Sequence, residues 1–413
     1  MSRLLAIIAW IGLLFGAATG CRLPARTCVP PQVAMSYLRD ADAPDGQFPM
    51  ANPDLLSSLQ QTLEKQNSDG VVPNRPPQNY LALTGGGVFG SFTVGVLCGW
   101  TDSGKRPQFD VVTGISTGAL IATYAFLGPK YDSVLRDYYS NYGSREVYRP
   151  RRKLSILWSD SVVDNTPLRQ KIDAACTPEL LAEVAEAHRA GRRLYIGTTN
   201  LDTRQLVIWD MGAIAASGRP EARTLYRDVI LASCSVPAFF PPVRIEVEIN
   251  GQRYEELHVD GGATTAVFFQ PFMLQLDRGN IRSRAGSNLY VINAGKIFAD
   301  PDCVKPRIIK IASTTLRTML YAGSRNDLFR LYTLALITGV NYHLAAVPQD
   351  FPMDLDALKI DPQQMRRLYE EGYRQGRTGE AWHTRLDNIG LHDDIMPRSG
   401  NRLHAWPSAN TSR

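Results

Sequence analysis

The sequence predicts an α/β fold with a mostly parallel central sheet and helices on both faces. Three observations predict it: short apolar runs that end in glycine turns, a helical pattern after each turn, and the repetition of that strand–turn–helix order. Residues 80–83 form the first run, which enters Gly85-Gly86-Gly87 ahead of a helix over 91–100. Residues 109–113 are the second strand and 117–126 the second helix. Thr177-Pro178 then opens a helix that stops near Gly191, because proline suits the first helical position and glycine the end. Residues 194–198 are again strand-like, and the runs 243–249 and 253–259 flank Asn250-Gly251, a strong hairpin signal. A further apolar strand lies at 289–293, and 306–339 is mostly helical. Asp361-Pro362 opens a last helix, with Met365, Leu368 and Tyr369 at helical spacing. No internal repeat is visible.

The chain has 413 residues, 44% of them hydrophobic and 21% charged, which allows a sizeable core and excludes wholesale disorder. A net charge of +5 with no long basic tract gives no support to a nucleic-acid partner, though it fits weak attraction to anionic headgroups. Arg3, the apolar run 4–18 and the small residues Thr19 and Gly20 before Cys21 make residues 1–20 a signal segment. Ala18-Thr19-Gly20-Cys21 resembles the lipobox of bacterial lipoproteins, with Ala18 where Leu is usual. That resemblance implies a lipidated Cys21 and a membrane-anchored protein of the cell envelope. Arg22 lacks the aspartate of an inner-membrane retention signal, which points to the periplasmic side of the outer membrane. A cleaved secretory signal without lipid and an uncleaved anchor are the alternatives.

Residues 21–78 hold nine of the 26 prolines and read as a tether with one docking helix, opened by Asn52-Pro53 and carrying Leu55, Leu56, Leu59 and Leu63 on one face. The compact domain then spans 79–380, and 381–413 is a polar tail. The six cysteines are too widely and irregularly spaced for a disulfide framework or a zinc site, and Cys98 and Cys234 read as buried thiols.

Three motifs carry chemistry. Gly85-Gly86-Gly87-Val88-Phe89-Gly90 follows a strand and precedes a helix, so its backbone can approach a ligand closely and its amides can stabilise negative charge. Gly114-Ile115-Ser116-Thr117-Gly118 lies between an apolar strand and a helix, the setting of a nucleophile elbow. The same letters could give a glycine turn with a helix-capping serine. Asp260-Gly261-Gly262 ends the second hairpin strand, and alone would read as an ordinary turn.

Together the three resemble the patatin-like phospholipase family, over roughly residues 80–376. The segment from Ala232 to Pro242, with Ser233-Cys234-Ser235-Val236-Pro237 at its head, also looks like that family's stretch between serine and aspartate. The resemblance implies a three-layer patatin-like fold and a serine acyl hydrolase acting on a lipid ester substrate. Ser116 would be the nucleophile and Asp260 its base. Gly85, Gly86, Gly87 and Gly90 would form the oxyanion loop, and Gly114 and Gly118 would shape the elbow. Gly261 and Gly262 would complete the acid motif. The chain departs from the family at Phe89, where many members carry a basic residue, so the backbone amides of the loop carry over and a basic side chain does not.

No cofactor is implied, and without a His-Glu-x-x-His or calcium loop no metal is expected. His343, His383, His392 and His404 follow Asp260, the order of an α/β-hydrolase triad, but none has a catalytic context; His188 and His258 precede it. Arg149, Arg151, Arg152 and Lys153, near Tyr148 and Trp158, read as a solvated loop, or as a contact for anionic headgroups. Two rival readings stand. Gly85, Gly87 and Gly90 fit a dinucleotide fingerprint with Asp110 as its acidic residue. Alternatively the chain is a catalytically silent lipoprotein that binds lipid or a partner. Oligomeric state is not legible.

Overall fold

The computed structural model describes residues 75–141, 147–151, 159–277, 280–300, 304, 307–352 and 361–384. The signal segment, Cys21, the tether with its Pro53 helix, Arg152, Lys153, Trp158, His392, His404 and the tail beyond residue 384 lie outside the described residues.

An eight-stranded sheet organises the domain. Its strands are β1 (Asn79–Leu83), β2 (Val111–Gly114), β5 (Arg193–Asn200), β6 (Gln205–Asp210), β7 (Val243–Ile249), β8 (Gln252–Asp260), β9 (Asn288–Asn293) and β10 (Asn341–Ala346), in the order β10-β9-β1-β2-β5-β8-β7 with β6 also on β5. Pairing is parallel from β10 to β5, and antiparallel where β6, β8 and β7 join. β3 (Arg149–Pro150) and β4 (Val163–Asp164) form a separate small hairpin. The predicted hairpin turns at Asn250-Gly251, both at positive φ as such a tight turn requires.

Alternation along the strands makes the three layers. On β1, Leu81 and Leu83 enter one buried cluster and Tyr80 and Ala82 another, because successive side chains point to opposite faces. The first face is covered by α1 (Gly90–Asp102), α2 (Thr117–Leu127), α3 (Asp132–Asn141), α4 (Thr166–Ala175), α5 (Pro178–Arg189) and α7 (Ala222–Ser233), with α6 (Met211–Ala216) alongside. The second is covered by the segment 267–274 and the C-terminal half of α8 (Ile308–Thr338), through Leu328, Leu331 and Ala335. The last helix, α9 (Pro362–Thr378), lies against α1 so closely that glycine is obligatory. A methyl on Gly95 or Gly99 would stand 2.2 and 2.1 Å from the carbonyl oxygens of Tyr369 and Tyr373, and one on Gly372 or Gly376 would stand 2.3 Å from an oxygen of α1.

The feature that positions the site is the shared edge of β5. One edge takes β6 along Tyr195–Asn200. The other takes β2 beside Arg193–Ile196 and β8 beside Thr198–Asn200. β2 runs with β5 and β8 against it, so the two meet head-on at Gly197. Both chains must turn away there, one into Ile115-Ser116 and the other into Gly261.

Candidate active site

Ser116 has φ 55 and ψ −124, a conformation that a non-glycine residue holds only when its surroundings enforce it. Several neighbours do. A Cβ on Gly114 would sit 2.5 Å from the Gly118 carbonyl oxygen, and one on Gly118 2.5 Å from that of Leu83, so the elbow closes only with both glycines. Ser116 occupies the N-cap of α2, yet its side chain caps no amide, which removes the helix-capping explanation of this serine.

Three consecutive residues at the end of α7, Ser233, Cys234 and Ser235, hold the elbow and the acid together. The Ser116 amide donates to Ser233 Oγ at 3.0 Å, and the Ser233 hydroxyl donates to the Gly197 carbonyl at 2.7 Å. The Cys234 thiol donates to the Ser116 carbonyl at 3.2 Å, and the Asp260 amide donates to the Ser235 carbonyl at 2.9 Å. The segment quoted from the sequence thus has a physical task that its letters do not reveal: it bridges β2 and β8 where they collide. Burial holds the Cys234 thiol well above its usual range, so it stays protonated and inert.

Ser116 and Asp260 meet. The Ser116 side chain lies against the Asp260 carboxyl and draws its pKa down, and the carboxyl Oδ1 accepts from the Gly262 amide at 2.7 Å. Ser116 is 8% exposed and Asp260 4%, so the pair is nearly dry. Burial pushes the Asp260 carboxyl up to about 6, against the opposing pull of the Ser116 side chain and the Gly262 amide. A carboxylate so raised is a stronger base than an exposed one and is still ionised at neutral pH.

The glycine loop lies beside the serine, and its four predicted residues divide into two kinds. The Gly85 amide donates to the Ala266 carbonyl, and the Gly90 amide to those of Gly87 and Val88, so neither is available to a ligand. These two contribute room. A Cβ on Gly85 would stand 3.0 Å from Ser116 Cβ, and one on Gly90 2.3 Å from Thr117 Oγ1. Gly86 and Gly87 donate no hydrogen bond within the described residues. Gly86 must lack a side chain because a Cβ there would meet the Ala294 carbonyl oxygen at 1.9 Å, and Gly87 has φ 57. Thr84 fastens the loop to the end of β9, its Oγ1 accepting from the Ala294 amide at 2.7 Å. On the far side the Asp327 carboxylate accepts from the Ala266 amide at 2.8 Å.

An apolar cavity of about 200 Å³ reaches down to Ser116, Thr117 and Gly87. α2, α3, α4 and α7 wall it with Leu120, Leu135, Ile172 and Ile230 among others. Tyr148, just before β3, packs edge-on against Phe239 and Phe240 at its rim. Of the predicted basic cluster, Arg149 and Arg151 lie on that hairpin, with Arg151 3.8 Å from Asp160.

Other expected candidates stand elsewhere. Asp110 accepts from the Asn79 amide at the opposite end of β1 from the glycine loop, which takes away the dinucleotide reading's acidic partner. His258 binds Thr198 and Glu256, His343 stacks on Tyr290 and binds Asn288, and His188 sits by Asp210. None of these histidines bonds to Ser116 or Asp260. Among the described residues no three His, Cys, Asp or Glu side chains gather as for a metal, and no helix is long and apolar enough to cross a membrane.

Residues 81–273 match the model of a family described as patatin-like phospholipase. Similar solved structures include VipD from Legionella pneumophila, at 13% identity and a TM-score of 0.36 over 75% of this chain and 68% of that one. Human GIVD cytosolic phospholipase A2 is similar at 10% identity and a TM-score of 0.31, over 80% of this chain and 56% of that one. No curated protein matches the chain.

Proposed function

We propose that this patatin-like phospholipase domain hydrolyses lipid esters, with Ser116 as nucleophile and Asp260 as its base. The observation that carries the reading is the closeness of the two side chains, nearly dry, at the foot of an apolar cavity. The acyl chain lies in the cavity and brings its carbonyl to Ser116. Asp260 takes the hydroxyl proton as Oγ bonds to the carbonyl carbon, and the C=O electron pair moves onto the oxygen. The amides of Gly86 and Gly87, which spend no hydrogen bond within the described residues, are the donors for that oxyanion. When the intermediate collapses, the leaving alcohol departs with the proton from Asp260. Water then adds to the acyl-serine with Asp260 again accepting the proton, and the fatty acid leaves as the Oγ–carbon bond breaks and Asp260 returns that proton to Ser116 Oγ. Lipidation of Cys21 would hold the domain at the envelope membrane that supplies its substrate.

The test is fatty-acid release from phospholipid and lysophospholipid by the full chain. Ser116→Ala should lower it by about ten-thousand-fold or more with the protein still folded. Lipid binding with no turnover in the parent, or turnover retained in Ser116→Ala, contradicts the reading.

A further inference from the structure

α8 is buried at one end and bare at the other. Ser324 reaches the side chain of Asn293, the last residue of β9, and Arg325 reaches the Ile297 carbonyl just beyond. The helix returns from that edge to the start of β10, parallel to β9, so residues 308–323 run past the sheet edge that carries the glycine loop and Ser116. Sixteen helical residues at about 1.5 Å each project by about 24 Å. Asp327, at the root of the projection, is the residue that holds Ala266 and, through it, Gly85.

The projecting part carries five of the nine exposed large apolar side chains among the described residues: Ile308 (84%), Met319 (66%), Ile311 and Leu316 (both 50%) and Leu320 (41%). Ile308, Ala312, Leu316 and Met319 recur at spacings of four, four and three, so they make one face. Lys310, Thr314, Arg317 and Tyr321 make the opposite face by the same spacing. From Ile308 to Asn326 the helix has three basic residues and no acidic one. We propose that this half of α8 is a membrane-surface helix that lies in an anionic lipid interface, apolar face inward and Lys310 and Arg317 at the headgroups, and so presents the catalytic edge to the bilayer. A projecting apolar face with an opposite face whose charges are all basic fits an anionic interface better than a neutral partner. Its use to the protein rests on the lipid-ester reading; the binding does not.

Hydrogen–deuterium exchange of the full chain carrying Ser116→Ala tests it, because lipid is then not consumed and the readout is local to α8. With phosphatidylglycerol vesicles, exchange over 308–320 should slow at least about tenfold, while α5 is unchanged. Leu316→Asp with Met319→Asp should abolish the slowing, Lys310→Glu with Arg317→Glu should remove the preference over phosphatidylcholine vesicles, and both should keep the parent's thermal midpoint. Three results overturn the proposal: no slowing with vesicles, slow exchange without lipid that rises with protein concentration (a second copy covers the helix), and slow exchange without lipid that is lost on deleting residues 22–74 (the chain's own segment covers it). Lipid-induced protection together with no ester turnover by the Ser116 parent would fail the hydrolase reading alone.

Discussion

Beside Ser116, a Cβ on Gly85 or Gly86 would stand 3.0 Å from Ser116 Cβ or 1.9 Å from the Ala294 carbonyl oxygen; at the α1–α9 contact, a Cβ on Gly95, Gly99, Gly372 or Gly376 would stand 2.1–2.3 Å from a carbonyl oxygen. The crowding is similar and its consequence differs. In the loop, closeness brings two unspent amides beside a serine, so a side chain there disturbs chemistry. Between the helices, closeness brings two backbones into contact across a face remote from Ser116 Oγ, so a side chain disturbs the assembly of the first layer. A glycine's role is set by which atoms stand where its Cβ would be.

The largest effect that sharpens this contrast belongs to the acid. Asp260→Asn should lower ester hydrolysis by about a thousand-fold or more, since asparagine accepts no proton. It should also stabilise the fold at pH 8. The folded carboxyl holds its proton to about pH 6, above the unfolded value of about 4, so the protonated form's advantage is full below pH 4 and gone above about 6. Melting curves should therefore favour the Asn variant at pH 8, by up to about 3 kcal/mol, and converge with the parent's near pH 4.

Gly86→Ala should come next, with a loss of about a hundredfold in kcat and a smaller change in melting temperature, as the loop swings off the Ala294 carbonyl. Gly99→Ala should do the reverse. Urea unfolding should show about 1–3 kcal/mol lost, with kcat below the melting range near the parent's. If Gly99→Ala cost rate and spared stability, the division between the two glycine sets would break. Ser233→Ala should lower kcat by about tenfold, because it frees the Ser116 amide and the Gly197 carbonyl that it bridges. The smallest effect is the pH profile of the parent: kcat/KM should rise with pH and level off above about 6 as Asp260 ionises.

Much of this was legible in the sequence, and the limits are physical. β1, β2, β5, β9 and the β7–β8 hairpin announce themselves because buried parallel strands are short apolar runs and Asn-Gly fixes a turn. Ser116 and Asp260 were legible because each ends a strand beside glycines. Their closeness was not, for it depends on β2 and β8 sharing one edge of β5, a pairing between residues 82 and about 60 positions apart. Ser233 was legible as a letter in a motif but not as a bridge. The loop's division into amides bonded within the fold and amides left unspent depends on neighbours such as Ala266, which carry no signal of their own. β6, α3, α4, α6 and α7 were not expected, although α3, α4 and α7 carry an apolar face at helical spacing. The exposed half of α8 was read simply as helix, since periodicity reports an apolar face and not what covers it.

The most direct measurement is labelling of the full chain with a fluorophosphonate, mapped by mass spectrometry. The account predicts one adduct, on Ser116, absent in Ser116→Ala and strongly slowed in Asp260→Asn. An adduct on another serine, or labelling of Ser116 at the parent's rate in Asp260→Asn, would contradict the pairing of this hydroxyl with this carboxylate.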